Sequence, residues 1–191
     1  MDARDIQKSI QRKKLEDDIR SEFEGTIRAR VDRYLAVKPH EIIADTHFSR
    51  VSTEISTLFR DGQFYGCIAL SQAVGEALVR YMCQRNSFNP VKVFEKNLEK
   101  LSRRRFVDTS LKDQFVDLWS GRDDYHHLNS NIEQDRQKLE ELAENKAQVL
   151  MEIEKEVFGY TTYDGKLALK HPQYWDVDET NNVQVYLRIE P

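Results

Sequence analysis

Residues 64–85 read Phe-Tyr-Gly-Cys-Ile-Ala-Leu-Ser-Gln-Ala-Val-Gly-Glu-Ala-Leu-Val-Arg-Tyr-Met-Cys-Gln-Arg, and this stretch decides the fold. Cys67, Ile68, Leu70, Val74, Leu78, Val79, Tyr81 and Met82 interleave there with the small residues Gly66, Ala69, Ala73, Gly75 and Ala77. A helix of this composition is apolar around most of its circumference. It belongs at the centre of a bundle, where its small residues let neighbouring backbones come close. Just upstream, Phe48, Val51, Ile55, Leu58 and Phe59 lie on one face of a second helix predicted between Asp45 and Arg60, with Asp45 or Thr46 as N-cap. Asp61-Gly62 breaks the pattern, so the two helices form an antiparallel hairpin.

Outward from the hairpin the chain stays helical. Over residues 1–38, Ile6, Ile10, Ile19, Phe23, Ile27, Val31, Tyr34 and Leu35 recur mostly three or four apart among charges, and Pro39 ends the run. A stripe that thin does not fold alone, so this helix lies on the main body or against a second copy of the chain. Downstream, Asn86 to Pro90 is a turn by composition, followed by a short helix around Val93 to Leu101 that runs into Arg103-Arg104-Arg105. A helix from Ser110 to Trp119 carries Leu111, Phe115, Leu118 and Trp119 and stops at Ser120-Gly121. A long final helix begins near Arg122 or Ser130 and runs to Phe158, with Ile132, Leu139, Leu142, Leu150, Ile153 and Val157 on one side and Gly159 as its C-cap. The tail changes character: Tyr163-Asp164-Gly165-Lys166 signals a hairpin, Leu167-Ala168-Leu169 reads as a strand, and Val183 to Ile189 alternates with period two.

The fold class is therefore mainly α: a helical bundle with a long N-terminal helix and a small β appendage of two or three strands. Three segments follow, a helical extension over 1–38, the bundle over 42–158 and a β-rich tail over 159–191. The 191 residues suffice for one core plus an appendage, and 7 Gly with 4 Pro are too few to punctuate a β-sandwich or barrel. A net charge of −4 excludes a molecule that binds nucleic acid over its whole surface. The charged start, Met1-Asp2-Ala3-Arg4-Asp5, leads into no apolar run of signal-peptide length, and no stretch is apolar enough to span a membrane. A cytoplasmic protein without membrane partners is the expectation. Cys67 and Cys83 fall in one predicted helix, roughly 24 Å apart along its axis, which excludes a bridge or a shared metal between them.

One segment concentrates chemistry: Gly121-Arg122-Asp123-Asp124-Tyr125-His126-His127-Leu128-Asn129. A helix start offers unpaired N–H groups to an anion, and arginine adds a bidentate cation for phosphate oxygens. Histidine gives or takes a proton near neutrality. On a continuous helix Asp123 shares a face with His127, and Arg122 shares one with His126, so the choice between the histidines stays open. The adjacent imidazoles point about 100° apart, which argues against a joint metal site. The second candidate is the basic stretch from Lys92 to Arg105, where six basic side chains, among them Lys96, Lys100, Arg103, Arg104 and Arg105, face two acidic ones. It is either a steering patch for RNA or a solvated helix end.

Arg122-Asp123-Asp124-Tyr125-His126-His127 resembles the signature of the HEPN domain family, an arginine, a polar residue, a short spacer and a histidine, with Asp123 in the polar second place. The hairpin from Phe48 to Arg85 is similar to the one preceding that motif in the family, and the resemblance spans residues 42–158. It implies a homodimer in which two motifs face one another and form a composite site that cleaves single-stranded RNA. Arg122 would stabilise the scissile phosphate and His127 would act as general acid or base while the ribose 2′-OH attacks, with no metal or other cofactor. The product would be a 2′,3′-cyclic phosphate and DNA would be spared. A toxin or defence effector held by an antitoxin or regulatory protein is the implied setting. A non-catalytic member of the same kind would be a nucleotide- or protein-binding dimerisation module, and a polar helix start with locally paired charges is the third reading of the same residues.

Overall fold

A computed structural model describes residues 2–180 and 182–188. Helix α3 (Phe64–Arg85) is the central rod, and its buried Cys67, Ile68, Val74, Leu78, Val79 and Met82 face helices on several sides. Around it pack α2 (Ser49–Arg60), α4 (Phe94–Arg103), α5 (Thr109–Trp119) and α7 (Arg136–Val157). Small residues do in α3 what the sequence demands of them. A Cβ placed on Gly75 would lie 2.5 Å from Leu118 Cδ2, so glycine there lets α5 seat directly on α3. Caps fix two of the surrounding helices: Asp108 accepts the Leu111 N–H at the start of α5, and Asp135 accepts those of Gln137 and Lys138 at the start of α7.

Helix α1 (Ala3–Ala36) leaves the bundle as an arm. Its docking is confined to its C-terminal end, where Arg30 bonds Asp61 at 2.7 Å and Arg33 spans both carboxylate oxygens of Glu140 at 2.7 and 3.2 Å. Arg33 also lies over the Phe64 ring.

Two small antiparallel sheets complete the fold. Strand β1 (Ile42–Ala44) pairs with β4 (Val185–Leu187), Ile43 opposite Tyr186. Strand β2 (Tyr160–Tyr163) pairs with β3 (Lys166–Leu169) around Asp164-Gly165, both at positive φ, as a two-residue hairpin turn requires. Beyond it, a one-turn 3₁₀ helix at Pro172–Tyr174 drives Tyr174 and Trp175 into the core, beside Tyr81, Phe158 and Tyr160.

Several local expectations change. The residues after Pro39 form β1, a strand the sequence reading omitted because three residues carry no period of their own. Helix α2 starts at Ser49, and neither the Asp45 nor the Thr46 side chain caps it in the expected way; the Thr46 N–H donates to Ser49 Oγ instead. The final long helix starts at Arg136, later than either proposed start, so Ile132 lies in the preceding loop. Gly159 is not a left-handed cap: Phe158 is the C-cap, with φ −101. Glycine suits position 159 because a Cβ there would lie 3.1 to 3.3 Å from the Lys155 carbonyl and the Lys170 side chain. Of the alternating tail, Val185–Leu187 is strand, Val183 makes an isolated bridge with Val177, and Ile189 lies outside the described residues.

Candidate functional site

The Arg-Asp-Asp-Tyr-His-His segment sits at a corner. Helix α5 ends at Trp119, Gly121 turns the chain at φ 71, and α6 (Arg122–His127) follows. Leu128 closes α6 in the left-handed region at φ 52. Six residues make less than two turns, so the backbone dipole here is weaker than that of the long helix the sequence suggested. What positions the side chains is the packing of α6 on α3.

The corner is pinned by two buried polar residues on neighbouring helices. Gln72 of α3 donates from Nε2 to the Ser120 carbonyl at 3.0 Å. Lys146 of α7 donates to Ser120 Oγ at 2.8 Å and to the Asp117 carbonyl, and its side chain is almost wholly buried. Burial pulls the Lys146 ammonium below the usual lysine range, while Asp117 opposes that shift. Sequence reasoning singled out neither residue. The available signal was a polar side chain on an otherwise apolar face: Lys146 between Ala143 and Leu150, Gln72 between Ile68 and Gly75.

On α6 the charged and titratable groups divide between two faces. Arg122 and His126, four apart, share the face toward α3; Asp123 and His127 are exposed on the other. The Arg122 guanidinium lies 5.2 Å from the Trp119 ring and bonds Asp123 Oδ1 at 3.1 Å. Burial holds the His126 imidazole below the ordinary histidine range, and the Arg122 cation pushes the same way; the Ala69 backbone and Glu76 act against them. Arg122 Nε and His126 Nε2 are both sheltered and both lack a hydrogen-bond partner. Asp124 is engaged locally: its backbone carbonyl accepts the Asn129 N–H at 3.0 Å and its carboxylate accepts from Asn129 Nδ2 at 3.4 Å. Tyr125 is partly buried with its ring near Tyr65, and its hydroxyl accepts the Glu133 N–H at 3.4 Å.

The basic patch is contiguous with this corner through one residue. Trp119 stacks on Phe94 of α4 at 4.1 Å, donates from Nε1 to Glu95 at 3.1 Å, and carries Arg122 on its ring. Lys96, Lys100, Arg103 and Arg104 line an open groove on α4 together with Glu95 and Glu99. Their cations are partly engaged: Arg103 bonds Glu99 at 2.8 Å, and Lys100 and Arg104 lie over the Phe88 ring. Arg105 is exposed at φ 62, just past the end of α4.

Among the described residues no group of three or more His, Cys, Asp or Glu side chains is placed to hold a metal ion. Cys67 and Cys83 are buried free thiols, and burial raises Cys67 to about 12, so neither is a ready nucleophile. No helix of the described residues is long and apolar enough to cross a membrane. No family model, curated protein or solved structure matches this chain.

Proposed function

We propose that the protein is a metal-independent endoribonuclease of HEPN type, cytoplasmic, acting as a homodimer in a toxin or defence setting. The observation that carries this reading is Arg122 beside His126 on one face of α6, joined through Trp119 to the basic groove of α4. A guanidinium suits a phosphate oxygen, and an imidazole whose pKa is lowered by burial suits proton abstraction. In the proposed step a neutral imidazole takes the proton of the ribose 2′-OH. The oxygen attacks phosphorus, the bond to the 5′ oxygen breaks, and that oxygen leaves protonated. Arg122 offsets the charge that grows on the phosphate. His126 is the better placed base because it adjoins Arg122; His127, exposed beside Asp123, is the alternative and a candidate for the acid supplied by a second copy. Lys96, Lys100, Arg103, Arg104 and Arg105 would draw the RNA strand across Trp119 toward the corner.

The test is cleavage of single-stranded RNA by purified protein in EDTA, with 2′,3′-cyclic phosphate ends as product and DNA left intact. Arg122→Ala should abolish cleavage and express better than the parent, and separate His126→Ala and His127→Ala variants decide which imidazole takes the proton. With His126 as base, kcat/KM should fall on the acid side with a midpoint below 6.5, because burial and Arg122 both lower its pKa. Intact RNA with the parent protein refutes the enzyme reading. One observation favours a second reading, a nucleotide- or protein-binding dimerisation module: Arg122 already has Asp123 and Trp119 as partners. Saturable binding of a nucleotide without turnover is its signature.

A further inference from the structure

The arm α1 is exposed along most of its length, with Ile10, Leu15 and Ile19 all more than half open to solvent. A helix standing clear of its bundle is marginal in water unless another surface covers it. Its sequence specifies that surface. Leu15 lies between three consecutive cations, Arg12, Lys13 and Lys14, and three consecutive anions, Glu16, Asp17 and Asp18. Through Leu15 runs an uncharged row at spacing four: Gln7, Gln11, Leu15, Ile19 and Phe23. Rows of this kind are the ridges by which two helices interdigitate.

We infer that α1 is a self-pairing element, which docks antiparallel on the α1 of a second copy of this chain with Leu15 crossing Leu15. In that register Gln11 meets the second copy's Ile19 and Gln7 meets its Phe23. On the two flanks of the Leu15 crossing Arg12 then faces the second copy's Glu16 and Lys14 faces its Asp18, each pair occurring twice by symmetry, while Lys13 and Asp17, about 160° round the helix from Leu15, point away. Moving the crossing point one residue toward the N-terminus sets Lys14 on its own copy, and one residue toward the C-terminus sets Glu16 on its own copy.

The charge blocks have a simpler use inside one helix, since Arg12 bonds Glu16 four residues on at 3.0 Å. That use does not explain the mirror arrangement about an exposed leucine, and a cation placed N-terminal to its anion is the weaker orientation for such pairs. The geometry is permissive as well. Each bundle is fastened to its arm at Arg30 and Arg33, so antiparallel overlap through residue 28 leaves the two bundles at opposite ends. This pairing does not bring two Arg122 motifs together, so it stands apart from the nuclease reading.

Charge swapping tests it. In one full-length variant Arg12, Lys13 and Lys14 all become Glu, which makes the stretch 12–18 acidic on both sides of Leu15; in the other Glu16, Asp17 and Asp18 all become Lys, which makes it basic. By light scattering at low salt the parent should have twice the mass of either variant alone, and that excess should fall as salt rises. An equimolar mixture of the two variants should recover the parent's mass. A mixture of Gln11→Cys and Ile19→Cys proteins should then crosslink under mild oxidation to a greater extent than either alone. A parent no heavier than either variant overturns the inference, as does an equimolar mixture no heavier than the variants alone. Because the substituted side chains are exposed on the arm, circular dichroism and an unchanged near-ultraviolet spectrum of the bundle separate lost pairing from lost folding.

Discussion

Residues 3–36 and residues 160–188 flank the same bundle and are attached to it by opposite means. The N-terminal arm is held by charges at its root: Arg30 to Asp61 and Arg33 to Glu140, all partly exposed. The C-terminal tail is held by burial. Tyr174 and Trp175 are core residues, and Arg188, past β4, is sealed against Glu154 of α7 at 2.7 Å with both side chains wholly buried. Ser52 of α2 completes that group, donating to one Glu154 oxygen and contacting Arg188 Nη2, each at 2.6 Å. An ion pair taken out of water gains little net stability unless every group is satisfied, yet removing one partner strands the other. The tail is thus part of the fold, whereas the arm is presented by it.

The sharpest way to break this comparison is Arg188→Met. It leaves the Glu154 carboxylate buried with only Ser52, at a cost of about 3–5 kcal/mol. Urea denaturation should show the loss, and the double variant Arg188→Met with Glu154→Met should recover much of it. A single variant as stable as the parent would mean that the tail contributes little to the bundle.

The next effect is smaller and belongs to the arm. Arg33→Ala removes a bidentate contact with the partly exposed Glu140 and the cover over the Phe64 ring, so a loss of roughly 1–2 kcal/mol is expected. The same denaturation series should resolve it, and a loss as large as that at Arg188 would place the arm root in the core.

How much of this was legible in the sequence follows from the range of each signal. Helix α3 runs Phe64–Arg85 as its composition requires, and α4, α5 and the Asp164-Gly165 hairpin lie within a residue or so of their expected places. Those are local patterns. The pairing of Ile42–Ala44 with Val185–Leu187 joins opposite ends of the chain through three residues a side, and no periodicity announces it. Arg188 and Glu154 sit among alternating or helical polar positions like any solvated charge, so their burial together shows only in three dimensions. At the candidate site the sequence supplied the residues of α6 but not its brevity, since the apolar period of α7 hid an irregular loop from Leu128 to Asp135. Gln72 and Lys146 were readable as polar interruptions of apolar faces, but what they hold was not.

A third prediction uses acid to distinguish the two attachments. His40 lies at the seam with the tail, its ring 5.0 Å from that of Tyr160 and its carbonyl accepting from Arg188 at 3.3 Å. Burial lowers its pKa, with Arg188 and Lys155 acting in the same direction, against the Phe158 backbone and Glu41. The unfolded imidazole therefore takes up a proton at a higher pH than the folded one, and stability declines as pH falls below about 6.5. The decline between about pH 7.5 and about pH 5.5 should be smaller in His40→Asn, read from urea midpoints. An equal decline in both proteins would remove the seam histidine from the account.

The smallest effect should barely register in global unfolding, and for that reason it probes the arm alone. Gly25 lies inside α1, and a Cβ there would touch nothing within 4 Å. Glycine in a helix interior costs about 0.5–1 kcal/mol relative to alanine, mostly through backbone entropy, so Gly25→Ala should stiffen the arm. The position is off the row through Leu15, which leaves the proposed self-pairing intact. Far-ultraviolet circular dichroism should show a gain in helix at raised temperature, while the denaturation midpoint of the bundle, followed by Trp119 and Trp175 fluorescence, stays where it was. The arm frays independently if its root is the only coupling to the bundle. A matching rise in the bundle's midpoint would show that arm and bundle unfold as one unit, and the contrast between the two ends would collapse.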